Sequence, residues 1–160
     1  MVKLTIDGIQ VEAEKGTSIL HAAESVGIEV PTLCYIKDLL PDGSCRMCMV
    51  EIESRGRTKM ETACTAQVSE GLVVTTNSEK VRNARRNILD MLLSNHKTDC
   101  FSCPSNGDCK LQELCFEYGI ERTTYSGEQT ELPIDDSNKF FTYNPNLCIL
   151  CHRCVNTCHK

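Results

Sequence analysis

Apolar and polar residues alternate from the start of the chain, with Val2, Leu4 and Ile6 on one side of the pattern and Lys3 and Thr5 on the other. A period of two marks a half-buried strand. Asp7-Gly8 is a common hairpin-turn pair, so residues 2–14 predict two short strands joined there. The period then changes. Thr17 or Ser18 can cap a helix on which Ile19, Leu20, Ala23 and Val26 share a face, and Gly27 is placed to end it. Pro31 breaks the chain shortly before Cys34. Residues 49–53 and 59–64 predict strands around an Arg55-Gly56 turn, and residues 72–76 a last β-branched strand. Residues 1–77 therefore predict a small mixed sheet with one helix.

Ser78 can cap a second helix over residues 79–95, where Val81, Ala84, Ile88 and Leu92 recur at helical spacing. Lys80, Arg82, Arg85 and Arg86 on it read as a solvated face, with docking to an acidic partner as the functional alternative. A third helix is predicted over residues 109–118, with Leu111, Leu114, Cys115 and Tyr118 on one side and Gly119 as its stop. Residues 121–139 are polar, include Pro133, and read as a linker or surface loop. Residues 140–143 predict a short strand.

Composition narrows the picture. The chain has 160 residues, no Trp and few aromatics, so several small modules fit better than one large core. The net charge of −5 argues against nucleic acid, which needs a clustered basic face. No apolar run approaches the roughly 18 residues of a membrane helix. The first residues lack a signal-peptide apolar region, and the protein is read as cytoplasmic. Twelve cysteines could form six disulfides only in an oxidising compartment. Repeated Cys-x-x-Cys spacing in a reducing one points to metal.

The cysteines fall into three groups. Cys34, Cys45, Cys48 and Cys64 are spaced Cys-x10-Cys-x2-Cys-x15-Cys. The inner two can grip a centre from a tight loop, and the outer two close it from flanking segments. Turn residues around Gly43 let backbone N–H groups face sulfur, which stabilises electron density there. A plant-type ferredoxin spacing is the nearest analogue and favours [2Fe–2S]; structural zinc is the rival.

His96, Cys100, Cys103 and Cys109 are spaced His-x3-Cys-x2-Cys-x5-Cys. A lone His there would read as an exposed helix end. Three nearby cysteines make it a candidate ligand, with zinc again the rival. Cys115 falls on the apolar face of the third helix and reads as a small buried hydrophobe. Cys148, Cys151, Cys154 and Cys158 form Cys-x2-Cys-x2-Cys-x3-Cys, the bacterial ferredoxin run. In two-cluster ferredoxins the fourth Cys reaches the neighbouring cluster. His159 stands where Pro usually follows, and no second run is present. The chain is therefore expected to be the front piece of a longer polypeptide; completion by another subunit, or four ligands to one cluster, are the alternatives.

The stretches Pro31-Thr-Leu-Cys34, Gly43-Ser-Cys45-Arg-Met-Cys48, Gly107-Asp-Cys109-Lys-Leu-Gln-Glu-Leu and Cys148-Ile-Leu-Cys151-His-Arg-Cys154-Val, in this order, resemble an electron-input region shared by three families. These are the cytoplasmic formate dehydrogenases, the multimeric [FeFe]-hydrogenases and the large peripheral subunit of respiratory complex I. The resemblance spans the whole chain. Residues 108–119 look closest to the formate dehydrogenases. The gap before Cys64 is longer than the commonest one, which implies a longer hairpin.

The resemblance implies an α+β architecture. A β-grasp [2Fe–2S] ferredoxin domain would cover residues 1–77 and a small helical [4Fe–4S] domain residues 78–120. A linker would follow over 121–139, then half of a two-cluster ferredoxin domain over 140–160. Cys34, Cys45, Cys48 and Cys64 would bind [2Fe–2S], and His96, Cys100, Cys103 and Cys109 a [4Fe–4S]. Cys148, Cys151 and Cys154 would bind part of a further [4Fe–4S], with Cys158 on its neighbour. The implied partners are a flavin- and NAD(P)-binding iron–sulfur subunit and a catalytic subunit or domain. The implied function is one-electron relay, with no catalytic residue in this chain. A zinc-stapled interaction module is the remote alternative.

Overall fold

The computed structural model describes residues 1–126 and 131–158, in two compact units, Met1–Arg85 with His152–Lys160, and Arg86–Cys151.

The first unit is built on a five-stranded sheet. β1 (Val2–Ile6) and β2 (Ile9–Ala13) form a hairpin, followed by α1 (Ile19–Glu24), β3 (Met49–Ser54), β4 (Arg57–Thr62) and β5 (Val73–Thr75). The spatial order is β2-β1-β5-β3-β4. β1 and β5 run parallel and every other neighbouring pair is antiparallel. Alternation places Leu4, Ile6, Val11, Ala13, Val50, Ile52 and Val74 inside, where α1 adds Ile19, Leu20, Ala22 and Ala23. β4 carries the exposed Arg57 and Lys59 at one rim of the sheet, a charged edge that discourages pairing with another chain.

Ser18 caps α1, its Oγ accepting from the His21 N–H at 3.3 Å. The next two helical amides are satisfied from elsewhere. Ile19 N–H donates to the Ala66 carbonyl and Leu20 N–H to the Ala63 carbonyl, both at 2.9 Å. The start of a helix always leaves such donors over. Here the residues on either side of Cys64 take them up. At the hairpin tip, Asp7 accepts from the Thr76 N–H at 2.8 Å and the Thr76 hydroxyl at 2.5 Å, fastening the end of β5 to the β1–β2 turn.

α2 (Glu79–Ser94) starts at Ser78, whose Oγ accepts from the Val81 N–H at 3.2 Å. Its buried stripe is Val81, Arg85, Leu89 and Leu93, rotated from the apolar stripe the sequence predicts. Arg85 is thus not part of a solvated basic face. It is 3% exposed, and its Nη2 donates to the Met49 carbonyl at 2.8 Å. The long aliphatic stem permits this, since it packs like a hydrophobe while the guanidinium reaches a carbonyl. Lys80 pairs with Glu51 at 3.1 Å and Arg86 donates to the Tyr118 carbonyl at 2.6 Å, so the four cations do not form one patch.

The second unit contains α3 (Lys110–Glu117) and a 3-10 turn over Pro145–Leu147. Leu111, Leu114, Cys115 and Tyr118 are buried, as the helical spacing predicts, and Gly119 follows with φ +65°. The strand expected over residues 140–143 does not form. Tyr143 makes only an isolated bridge with Asp135, and Phe140 and Phe141 are exposed. With no partner strand alongside, apolar residues alone do not make a ladder. The last helix, α4 (Arg153–Cys158), belongs to the first unit.

Asp90 ties the segment after α3 to α2. Its carboxylate accepts from the Thr124 hydroxyl at 2.5 Å, the Thr124 N–H at 2.8 Å and the Thr123 hydroxyl at 2.8 Å. These bonds, Thr124's first, hold the Asp90 carboxyl below its usual range. A carboxyl depressed in the folded state contributes stability above its unfolded value and loses it as pH falls through the folded one. Protection of the Thr124 amide, corrected for intrinsic exchange, should therefore fall on acidification through that range. Asp90→Ala should lower it already at neutral pH, as hydrogen exchange followed by NMR would show.

Candidate metal centres

Cys34, Cys45, Cys48 and Cys64 are all buried. Cys48 directly precedes β3 and Cys64 lies two residues beyond β4. The β3–β4 ladder sets their spacing. Met49 pairs with Thr62, and one step on the Ala63 N–H donates to the Cys48 carbonyl at 3.0 Å. The two sulfurs end 3.3 Å apart. The longer hairpin implied by the gap before Cys64 is thus ordinary paired strand, which brings Cys64 beside Cys48.

Cys34 and Cys45 form the other pair. The Cys45 thiol and backbone, then Ser44, donate to the Cys34 sulfur and pull its thiol down to about 5. Within the second pair, donation from the Cys64 thiol lowers Cys48 to about 7. Each donor thiol is raised in turn, Cys45 by its bond to Cys34 and Cys64 by its bond to Cys48, burial adding to both. Backbone N–H groups of Leu33, Cys34 and Met47 also face the Cys45 sulfur. Gly43 permits the loop's turn. Its φ is +67°, and a Cβ there would meet the Thr65 methyl at 3.1 Å. Arg46 follows in the same left-handed region, with φ 60°.

The four sulfurs are therefore arranged two by two. Among the described residues no three Cys, His, Asp or Glu side chains converge on a single metal ion. A structural zinc site wants one tetrahedron of four close ligands. Two adjacent thiol pairs ringed by amides suit a centre with two metals, and this donor set fits [2Fe–2S].

α1 braces both ends of the group. Its first amides hold the carbonyls of Ala63 and Ala66, around Cys64. Its His21 Nε2 lies 2.5 Å from the Tyr35 hydroxyl, with the rings edge to face at 5.8 Å, beside Cys34.

In the second unit an open cavity of about 510 Å³ is lined by His96, Cys100, Cys109 and Cys115, with Leu93 and Leu111 among the apolar residues of its wall. His96, Cys100 and Cys109 are three of the four residues grouped by their spacing. Cys103 is not on the wall; it is half-buried on the loop between Cys100 and Cys109. Gln112 braces that loop, donating to Asn106 Oδ1 at 2.9 Å and accepting the Gly107 N–H at 3.0 Å. Burial lowers the His96 imidazole below its ordinary range, which favours the neutral form that binds metal. Cys115 is buried as expected, and burial pushes its thiol up to about 11. The sequence reading stopped at burial; that the same face borders a cavity depends on packing that helical spacing alone does not show.

In the last group Cys148 and Cys151 belong to the second unit, and Cys154 and Cys158 to α4 of the first. The Leu150 N–H points at Cys148 Sγ at 3.4 Å. Leu150 and His152 both have positive φ, at 53° and 61°. His152 Nδ1 lies 3.0 Å from Asp42 Oδ2. Cys148, Cys154 and Cys158 are exposed and Cys151 is half-buried. Among the described residues no disulfide forms. Among the described residues no helix is long and apolar enough to cross a membrane.

Residues 1–79 match the family described as a 2Fe-2S iron-sulfur cluster binding domain. Residues 85–124 match the NADH-ubiquinone oxidoreductase-G iron-sulfur binding region. The chain is 41% identical over 160 residues to the NADPH-Fe(3+) oxidoreductase subunit alpha of Geobacter sulfurreducens, covering 100% of this chain and 19% of that protein. It is 38% identical over 164 residues to the NADP-reducing hydrogenase subunit HndD of Solidesulfovibrio fructosivorans, covering 99% of this chain and 28% of the relative. Among solved structures, an NAD+-reducing [NiFe]-hydrogenase in the H2-reduced state aligns with TM-score 0.88 and 32% identity, over 97% of this chain and 64% of the other. The chain thus spans a small part of these curated relatives, whose names speak of nicotinamide nucleotides, Fe(3+) and hydrogenase and not of formate. This chain carries, in a mixed α+β fold, a 2Fe-2S cluster binding domain followed by an iron–sulfur binding region of the NADH-ubiquinone oxidoreductase-G type.

Proposed function

We propose that this chain relays single electrons between a flavin- and NAD(P)-binding partner subunit and a catalytic centre carried elsewhere in the assembly. The observation that supports this most is the two-by-two arrangement of four buried thiols in the first unit. In this reading residues 1–77 are a β-grasp domain in which Cys34 and Cys45 hold one iron and Cys48 and Cys64 the other. His96, Cys100, Cys103 and Cys109 hold a [4Fe–4S] in the helical domain over residues 78–120. Cys103 reaches that group from the loop that Gln112 braces. Beyond the linker at 121–139, residues 140–160 contribute Cys148, Cys151 and Cys154 to a further [4Fe–4S], with Cys158 on a neighbouring one.

Bound clusters supply one-electron acceptors that connect two-electron hydride chemistry to one-electron steps. The protein's own part is to exclude water from the sulfurs, to aim amides at them and to set charge around them. No residue needs to act as acid, base or nucleophile.

For the terminal reaction, the resemblance of residues 108–119 favours a formate dehydrogenase-type enzyme. The NADP-reducing hydrogenase relative and the match of residues 85–124 to the NADH-ubiquinone oxidoreductase-G region favour the alternatives. Assaying the intact assembly with formate and with hydrogen separates these.

The relay itself is tested by purifying the chain without oxygen and measuring iron, sulfide and zinc. Iron with matching sulfide, and two reduced-state EPR signals of different relaxation, are expected. A colourless protein holding zinc would establish the stapled module instead. His96→Cys adds one thiolate charge at the second site, and its midpoint potential should fall. An unchanged EPR-monitored redox titration would count against His96 as ligand.

A further inference from the structure

The cavity of the second unit holds a metal-binding side chain that the four expected ligands leave unused. Cys115 is 8% exposed, yet it borders the same space as His96, Cys100 and Cys109. It stands on α3, which Cys109 caps at its N-terminus and the buried Leu111, Leu114 and Tyr118 hold in place. Cys109 and Cys115 therefore keep a set separation on one helix. A thiol-bearing residue thus lines the cavity before any ligand is lost.

We propose that Cys115 is a reserve ligand of the [4Fe–4S] held in this cavity and binds the iron left open when the His96 imidazole is removed. This rests on the iron–sulfur reading of the site given above. In the exchange an iron–nitrogen bond is replaced by an iron–sulfur bond. The Cys115 thiol proton passes to water, and no electron is transferred. The resulting site has four thiolates in place of three and an imidazole, so it carries one more negative charge and is harder to reduce. A thiol on an apolar helix face often does nothing but fill space, and that is the competing outcome.

The test compares the full-length wild type with His96→Ala, with the double variant His96→Ala/Cys115→Ala, and with Cys115→Ala, each reconstituted anaerobically with iron and sulfide. Iron content, EPR and midpoint potential are read for each. The [2Fe–2S] signal of the first unit serves as the folding control within the same molecule. His96→Ala should keep the [4Fe–4S] signal at a lower potential, and the double variant should lose it. His96→Ala/Cys115→Ser, nearly isosteric, should lose it too, which covers the case in which alanine disturbs packing. The proposal is overturned if His96→Ala is as empty as the double variant, or if the double variant keeps its cluster. Loss of the cluster from Cys115→Ala alone would make Cys115 a primary ligand and end the reserve role. A wild type that takes up no [4Fe–4S] would instead remove the underlying reading of the site.

Discussion

Cys64→Ala should abolish the [2Fe–2S] centre while leaving the polypeptide folded. Cys48 and Cys64 meet at 3.3 Å, and both are 1% exposed. In the proposed ligation, removing one sulfur would leave one iron with a single protein ligand in a buried site. Bulk water cannot easily replace it there. The surrounding backbone has reason to survive, because the bonds that hold this segment run through Ala63 and Ala66 rather than through the thiol. Iron and sulfide content and the EPR of the reduced protein check this, with the second unit's signal as an internal standard. A retained [2Fe–2S] spectrum in the variant would remove Cys64 from the ligand set.

Leu20→Ala should destabilise the first unit strongly, by about 2–5 kcal/mol. Leu20 is 1% exposed and packs in the main hydrophobic cluster. A domain's whole stability is about 5–15 kcal/mol, so this loss is a large share of it. Denaturant unfolding of the first unit should show a lowered midpoint with little change in slope. Ile9→Ala is the control. Ile9 is 47% exposed on β2, and its replacement should cost no more than about 0.5 kcal/mol. Equal midpoint shifts for the two variants would contradict the packing described here.

Much of the fold is legible in the amino-acid order. The β1–β2 hairpin, the cap at Ser18, the β3–β4 turn at Arg55-Gly56 and the starts of α2 and α3 follow from period and punctuation, which are local properties. Arg85 is different. A helical period computed from apolar residues excludes an arginine, although its stem can enter a core if a carbonyl such as that of Met49 waits at the far side. Phe140 and Phe141 mislead in the opposite direction. They have strand character, yet among the described residues no strand forms there. The thiols of the first site could be grouped from their spacing, but the pairing of Cys34 with Cys45 and of Cys48 with Cys64 needs three dimensions. The position of Cys115 on a cavity wall depends on α3 meeting the loop after α2, and no local rule reports that.

α1 is six residues long and contains no cysteine, yet it braces the segments carrying both Cys34 and Cys64. One short element thereby links the first and the last thiol of the set. The redox properties of the centre are open to adjustment from a distance, through substitutions in this strut that leave every sulfur untouched. An engineer or a lineage seeking a different operating voltage would have a route that spares the coordinating loop.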